Sequence, residues 1–164
     1  MTQFIKKRMK KNNTKIVRVN LEDVRIIRKK VLYENLSEKF TIYPEDNYSE
    51  TKHYGLIENS KVISVMTIIK KKMKSEIKSN LNFYQIRGMA TLIDFQKKGF
   101  GSFFLKYILQ QITNRKICDI IWCNSRKKII NFYLKNNFIP IGKIFNIQSI
   151  GPHQKLYYDL RNER

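Results

Sequence analysis

The chain has 164 residues, 42% hydrophobic and 12% aromatic, enough to bury roughly two thirds of its unfolded surface in one core. That content excludes a disordered tail, and no apolar run approaches the roughly 20 residues that span a bilayer. The 33 Lys and Arg against 13 Asp and Glu give a net charge of +20, a field that ordinarily points to nucleic acid or another anionic surface. Composition offers a second source for it. The 24 Ile, 24 Lys and 15 Asn make up 63 of the 164 residues, while Gly, Pro and Ala total 10. The first three have A/T-rich codons and the last three G/C-rich ones, so a biased genome raises lysine without selection for a polyanion.

Residues 1–13 are basic with only Phe4-Ile5 as an apolar pair. They lack a signal-peptide core and are expected to fray ahead of the fold, within a single domain over 1–164. Lys15–Val19 is β-rich. Asn20 is placed to cap a helix, with Asp23 three residues on and Val24, Ile27 and Val31 at helical spacing. Tyr43–Asn47 carries turn chemistry inside a polar stretch that reaches Lys52. His53–Ile57, a Glu58-Asn59-Ser60 turn and Lys61–Ile69 predict a hairpin. The charged segment from Lys70 to Asn80 predicts the tip of a second hairpin, returning as Phe83–Ile93.

Phe100, Phe103, Phe104, Tyr107, Ile108 and Ile112 then form a helical stripe. The run Asp119–Cys123 predicts a strand buried on both faces and parallel to Phe83–Ile93. A second helix from Arg126 to Asn136, with Asn137 as a left-handed cap, and strands Ile139–Ile150 and Lys155–Leu160 complete the order. The fold class is α/β (α+β) with a mixed sheet. Cys118 and Cys123 have neither CxxC spacing nor a histidine pair, which predicts buried thiols in a reducing cytoplasm and no metal site.

The stretch richest in chemistry is Gln96-Lys97-Lys98-Gly99-Phe100-Gly101, between a strand and a helix. Two glycines there let backbone approach a ligand, and the N–H groups of a helix start favour a pyrophosphate. The segment lacks the GKS ending of a P-loop and the third glycine of a dinucleotide fingerprint. Among the titratable groups, Arg87 on the Phe83–Ile93 strand can hold a substrate carboxylate, or else face solvent or a salt-bridge partner. His53 and His153, the only histidines, each stand near a strand boundary as a base or an acceptor ligand, or as a satisfied packing residue. Asp46 and Glu50 are further base candidates. Asn124 ends a buried strand, where its amide can bond a ligand or cap the next helix.

The pattern Q-x-x-G-x-G after a strand resembles the acetyl-CoA motif of the GNAT superfamily of N-acetyltransferases. Arg87-Gly88-Met89-Ala90-Thr91-Leu92 resembles the strand that enters the motif, Trp122-Cys123-Asn124-Ser125-Arg126 the end of the next strand, and Asn131-Phe132-Tyr133 with Asn137-Phe138 the family's FY and GF helix. Ile150-Gly151-Pro152-His153 is similar to one uncharacterised bacterial branch. Ile93 and Asn137 stand where many members have Pro and Gly. The resemblance implies a centrally splayed sheet flanked by helices and direct transfer from acetyl-CoA, as co-substrate and without a metal, to an amine. It implies that Thr91, Leu92, Gln96, Lys97, Lys98, Gly99, Phe100, Gly101, Ser102, Asn124 and Phe132 hold coenzyme A, and that Tyr133 protonates the leaving thiolate. The acceptor is unidentified, a homodimer is compatible with such a fold, and no membrane is implied. A nucleic-acid or ribosome-binding module on the same scaffold is the alternative, resting on the net charge and on basic clusters at 6–11, 70–74 and 127–128, and lacking a stacking motif.

Overall fold

In the computed structural model, which describes residues 14–73 and 80–163, Asn20 starts the first helix as its spacing predicts. Its side chain accepts from the Asp23 N–H at 2.8 Å, and α1 runs Leu21–Leu32 after β1, Lys15–Arg18. Two short 3₁₀ turns, Glu38–Thr41 and Pro44–Asn47, occupy the polar stretch. β2 (Lys52–Glu58) and β3 (Lys61–Lys70) form the expected hairpin, and its turn residues Asn59 and Ser60 both take positive φ, 48° and 65°. β4 (Phe83–Thr91) is followed by a 3₁₀ turn at Ile93–Phe95, so the strand stops short of the predicted Ile93. α2 spans Phe100–Asn114 and buries Phe100, Phe103, Phe104, Ile108 and Ile112, five of the six stripe residues. The predicted hairpin tip falls largely on residues outside those described, as does the basic start over 1–13.

The second half departs from the sequence reading in two places. β5 runs Ile120–Arg126, and a 3₁₀ turn at Lys127–Ile129 precedes α3, which is only Ile130–Leu134 rather than a helix from Arg126 to Asn136. β6 (Ile139–Ile147) and β7 (Gly151–Asp159) meet through a turn at 148–150, so β7 begins well before the predicted Lys155. Asn137 takes φ 63°, the left-handed cap expected of it.

The seven strands are ordered β1-β2-β3-β4-β5-β7-β6. The β4–β5 step is parallel, as predicted, and its register pairs Phe83–Ile86 with Ile120–Cys123. Both strands continue beyond their last pair, to Thr91 and Arg126. The other pairings on either side, β1–β2, β2–β3, β5–β7 and β6–β7, are antiparallel.

The chain divides into two compact units. One comprises residues up to Ile69 with Gly88–Ile108, the other Lys70–Arg87 with Leu109 onward. The first packs Val24, Ile27, Val65 and Ala90 into a core, against which Val19, Val31, Val62 and Leu92 close. In the second, Met73, Phe83, Ile120 and Trp122 are buried together, with Leu81, Ile141 and Tyr157 against them. Both cysteines are buried free thiols. Among the described residues, no helix is long and apolar enough to cross a membrane, and no three His, Cys, Asp or Glu side chains are grouped to hold a metal.

Candidate functional site

In the first unit the candidate residues form a closed loop. The Gln96 side-chain amide donates to the Thr91 carbonyl at 2.8 Å, drawing the start of the glycine motif onto the end of β4. Lys97 takes φ 55° and Gly99 φ 81°, two left-handed residues that turn the chain sharply into α2. The Phe103 N–H bonds the Gly99 carbonyl at 3.0 Å, which makes this the first turn of the helix. The first turn of an α-helix directs its N–H groups out along the axis, and residues 96–99 are exposed. This loop fits a pyrophosphate: exposed glycine backbone, a helix start and the side chains of Lys97 and Lys98. The Thr91 hydroxyl lies 2.8 Å from that of Ser64. The Leu92 N–H donates to the Ile63 carbonyl at 2.8 Å, which commits that amide to β3.

Beside this loop the unit holds a buried charge that the sequence did not reveal. Arg28, 0% exposed, forks onto Asp46 at 2.6 and 2.9 Å and also donates to the Thr41 carbonyl and the Thr67 hydroxyl. Its guanidinium stacks 3.8 Å from the Tyr43 ring centroid. Gly88 makes room for it. A Cβ at that residue would lie 2.5 Å from the Arg28 Nε, and the glycine takes φ +55°. Asp46 is therefore a buried ion-pair partner and not a base facing an acceptor, a correction that follows from its two contacts to Arg28.

His53 belongs to the same network. Its Nε2–H donates to the Asp46 carbonyl at 3.0 Å, so Nδ1 accepts from Thr67 at 2.8 Å. Both ring nitrogens are engaged, and desolvation is the main cause holding its pKa below 6.5. It is the satisfied histidine of the two readings. Arg87 is half-buried and has a partner of its own. The left-handed Gly88 next to it interrupts the regular alternation of a strand.

In the second unit, Tyr133 is buried on α3 and its hydroxyl meets the Cys123 thiol of β5. Burial pushes the phenol well above its usual pKa and pushes the thiol up too, so both are protonated at neutral pH. Phe132 and Phe138 stand edge-on to the Tyr133 ring at 5.0 and 5.2 Å. The short helix is closed by Asn136, whose side chain donates to the Phe132 carbonyl at 2.7 Å, and by the Phe138 N–H on the Tyr133 carbonyl. Asn124 lies mid-strand and exposed, and α3 begins six residues later behind Ile129, so Asn124 does not cap that helix. His153 is buried on β7. Its Nδ1–H donates to the Gly151 carbonyl at 2.8 Å, and the ring lies 6.2 Å from Phe145.

The seven-stranded mixed sheet with its parallel β4–β5 step is the fold of solved GNAT acetyltransferases. The chain is 27% identical over 146 residues to an uncharacterized N-acetyltransferase of Bacillus subtilis (strain 168), YitI, covering 89% of this chain and 96% of that one. A GNAT-family acetyltransferase from Staphylococcus aureus Mu50 shares the fold at TM-score 0.67 with 16% identity, over 90% and 99% of the two chains. An aminoglycoside 6′-N-acetyltransferase complexed with coenzyme A does so at TM-score 0.67 with 9% identity, over 89% and 97%. No protein-family model matches the chain. The chain thus has the fold of solved GNAT acetyltransferases and is similar in sequence to an N-acetyltransferase, and the alternative of a non-catalytic nucleic-acid module is not favoured.

Proposed function

We propose that the whole chain is one acyltransferase domain moving an acetyl group from acetyl-CoA to an amine by direct attack, with both substrates bound together. The observation that carries this reading is the loop from Thr91 to Ser102, closed by Gln96 and opening α2 on two glycines. The backbone of Lys98–Ser102 holds the pyrophosphate, helped by Lys97 and Lys98, and Thr91, Leu92, Asn124 and Phe132 border the rest of the coenzyme. The new N–C bond forms as the C–S bond breaks, and Tyr133 gives its hydroxyl proton to the departing thiolate. A phenol kept protonated by burial is loaded for that step. The proton lost by the amine goes to a base, and His153 is suited to the role because a fixed Nδ1–H leaves its lone pair on Nε2. The setting is a reducing cytoplasm, in keeping with two free thiols.

Acetyl-CoA is expected to raise the melting temperature, and Gly101→Asp to abolish that rise. No shift with any acyl-CoA sinks the reading. Tyr133→Phe is expected to lower kcat about a hundredfold or more with the thermal shift retained. Unchanged turnover removes the acid role alone.

A further inference from the structure

The guanidinium of Arg28 is bonded along one edge and bare along the other. A guanidinium carries five N–H donors. Nη1 donates to the Thr41 carbonyl at 2.9 Å and to Asp46 at 2.6 Å, and Nη2 donates to Asp46 at 2.9 Å and to the Thr67 hydroxyl at 2.7 Å. The fifth donor, on Nε, is buried and has no hydrogen-bond partner among the described residues. A buried donor left without a partner is uncommon and costly, so its position calls for a reason.

The reason lies in what the bare edge touches. Nε stands where a side chain of Gly88 would begin, 2.5 Å from the place of a Cβ, and the Tyr43 hydroxyl stands 3.1 Å from the same point. Both groups are fixed from behind. The fork on Asp46 sets the guanidinium plane, the Tyr43 ring lies against that plane, the Tyr43 N–H donates to Asp46 at 2.9 Å, and the Tyr33 and Tyr43 hydroxyls share a hydrogen bond of 2.7 Å. Glycine takes positive and negative φ about equally readily, so residue 88 does not select φ +55° by itself. Side chains that fill one flank of it do.

Gly88 is also a joint in β4. The pairing of β4 with β5 ends at Ile86, two residues before it. Beyond it the strand is tied to β3: the Ser64 hydroxyl donates to the Ala90 carbonyl at 2.8 Å and meets the Thr91 hydroxyl, and the Leu92 N–H donates to Ile63. The Gln96 bond to the Thr91 carbonyl then carries the course of the strand on to the glycine loop. We propose that Arg28 is a positioning residue for coenzyme binding: its Nε edge, with the Tyr43 hydroxyl, holds Gly88 left-handed and so fixes the path of Met89–Thr91 along the coenzyme. The role rests on the acetyl-transfer reading above.

The test is acetyl-CoA affinity, measured by isothermal titration calorimetry on the whole protein well below its melting temperature. Arg28→Lys keeps a cation against Asp46 but lacks the planar fork and the Nε edge. It is expected to weaken acetyl-CoA binding about tenfold in folded protein and to raise the acetyl-CoA KM to match, with kcat changed less than about threefold. Leu160→Ala, at a fully buried residue of the second unit outside the network, is expected to lower the melting temperature and leave the affinity unchanged. Gly88→Ala reaches the same joint from the strand. Combined with Arg28→Lys, it is expected to bind within about threefold of the weaker single variant, because both changes act at one point. Thr67→Val frees one of the bonds that orient the guanidinium and is expected to weaken binding about threefold.

Unchanged affinity in folded Arg28→Lys overturns the positioning role and leaves the acetyltransferase reading intact. Should that variant fail to fold, unchanged affinity in Thr67→Val does the same. An equal loss in Leu160→Ala overturns the role too, since the effect is then general destabilisation. Losses that multiply in the double variant overturn it because Arg28 would not be acting through Gly88. Unsubstituted protein that binds no acyl-CoA overturns the acetyltransferase reading itself, and the positioning role with it.

Discussion

Arg28 and a depression lined by Lys71, Lys72, Lys143 and Lys155 are two concentrations of positive charge treated in opposite ways. In the first unit a guanidinium is fully desolvated, and a carboxylate, a carbonyl, a hydroxyl and an aromatic face are gathered around it. In the second unit four ammonium groups line an open depression with no carboxylate among the described lining residues. The difference is one of solvation: the guanidinium is sealed from water and fully bonded along its fork, whereas the ammonium groups border an open depression. The net +20 says nothing about which lysines or arginines are of either kind.

The largest effect is expected at Arg28. Arg28→Ala leaves Asp46 buried without its partner and is expected to cost about 3–5 kcal/mol in urea unfolding. A loss under about 1 kcal/mol would mean that the pair is not structural. Gly88→Ala comes next, at about 1–3 kcal/mol, because its Cβ meets Arg28 and its backbone conformation is left-handed. Normal stability in that variant would show that the guanidinium has room to move.

A smaller effect is expected of His53. Its folded pKa lies below the unfolded 6.5, chiefly through desolvation, so the unfolded chain takes up the proton first as pH falls. Stability is complete above about pH 7 and declines below 6.5, by at most about 1.4 kcal/mol per pH unit. His53→Asn is expected to remove that slope, read from denaturation midpoints between about pH 5 and 8. Smallest of all is Lys143→Ala at an exposed position, expected to leave the midpoint unchanged. A stability loss there comparable to that at Arg28 would erase the distinction between the two regions.

Local signals were legible wherever the chemistry is local. The Asn20 cap, the Asn59-Ser60 turn, the Phe100–Ile112 stripe, the Asn137 cap and the glycine loop each act through near neighbours, and each is found where its residues place it. The short α3 was not legible, because β5 keeps pairing with β7 as far as Arg126↔His153 and the ladder overrides the helical spacing from Arg126 onward. Arg28 escaped notice because the apolar pattern of α1 counts Val24, Ile27 and Val31 and passes over a charge whose partner lies eighteen residues on. The lysine depression needed the β6–β7 register shift between Ile141 and Phe145 and brings together segments far apart in the chain, and lysine is too common here to mark its own position. The Tyr133–Cys123 contact likewise depends on how α3 returns to β5.

The parallel register of Phe83–Ile86 with Ile120–Cys123 also bears on how the second unit assembles. The β6–β7 hairpin closes through a three-residue turn, whereas this register closes only once the whole crossover through α2 is in place. Non-local pairing bears its loop entropy before it returns any bonds, so it comes late in folding. Until then one edge of β5 offers unpaired backbone to any neighbouring chain. Copies that each carry +20 repel one another through that interval. The net positive charge thus opposes association of chains on their way to the native state.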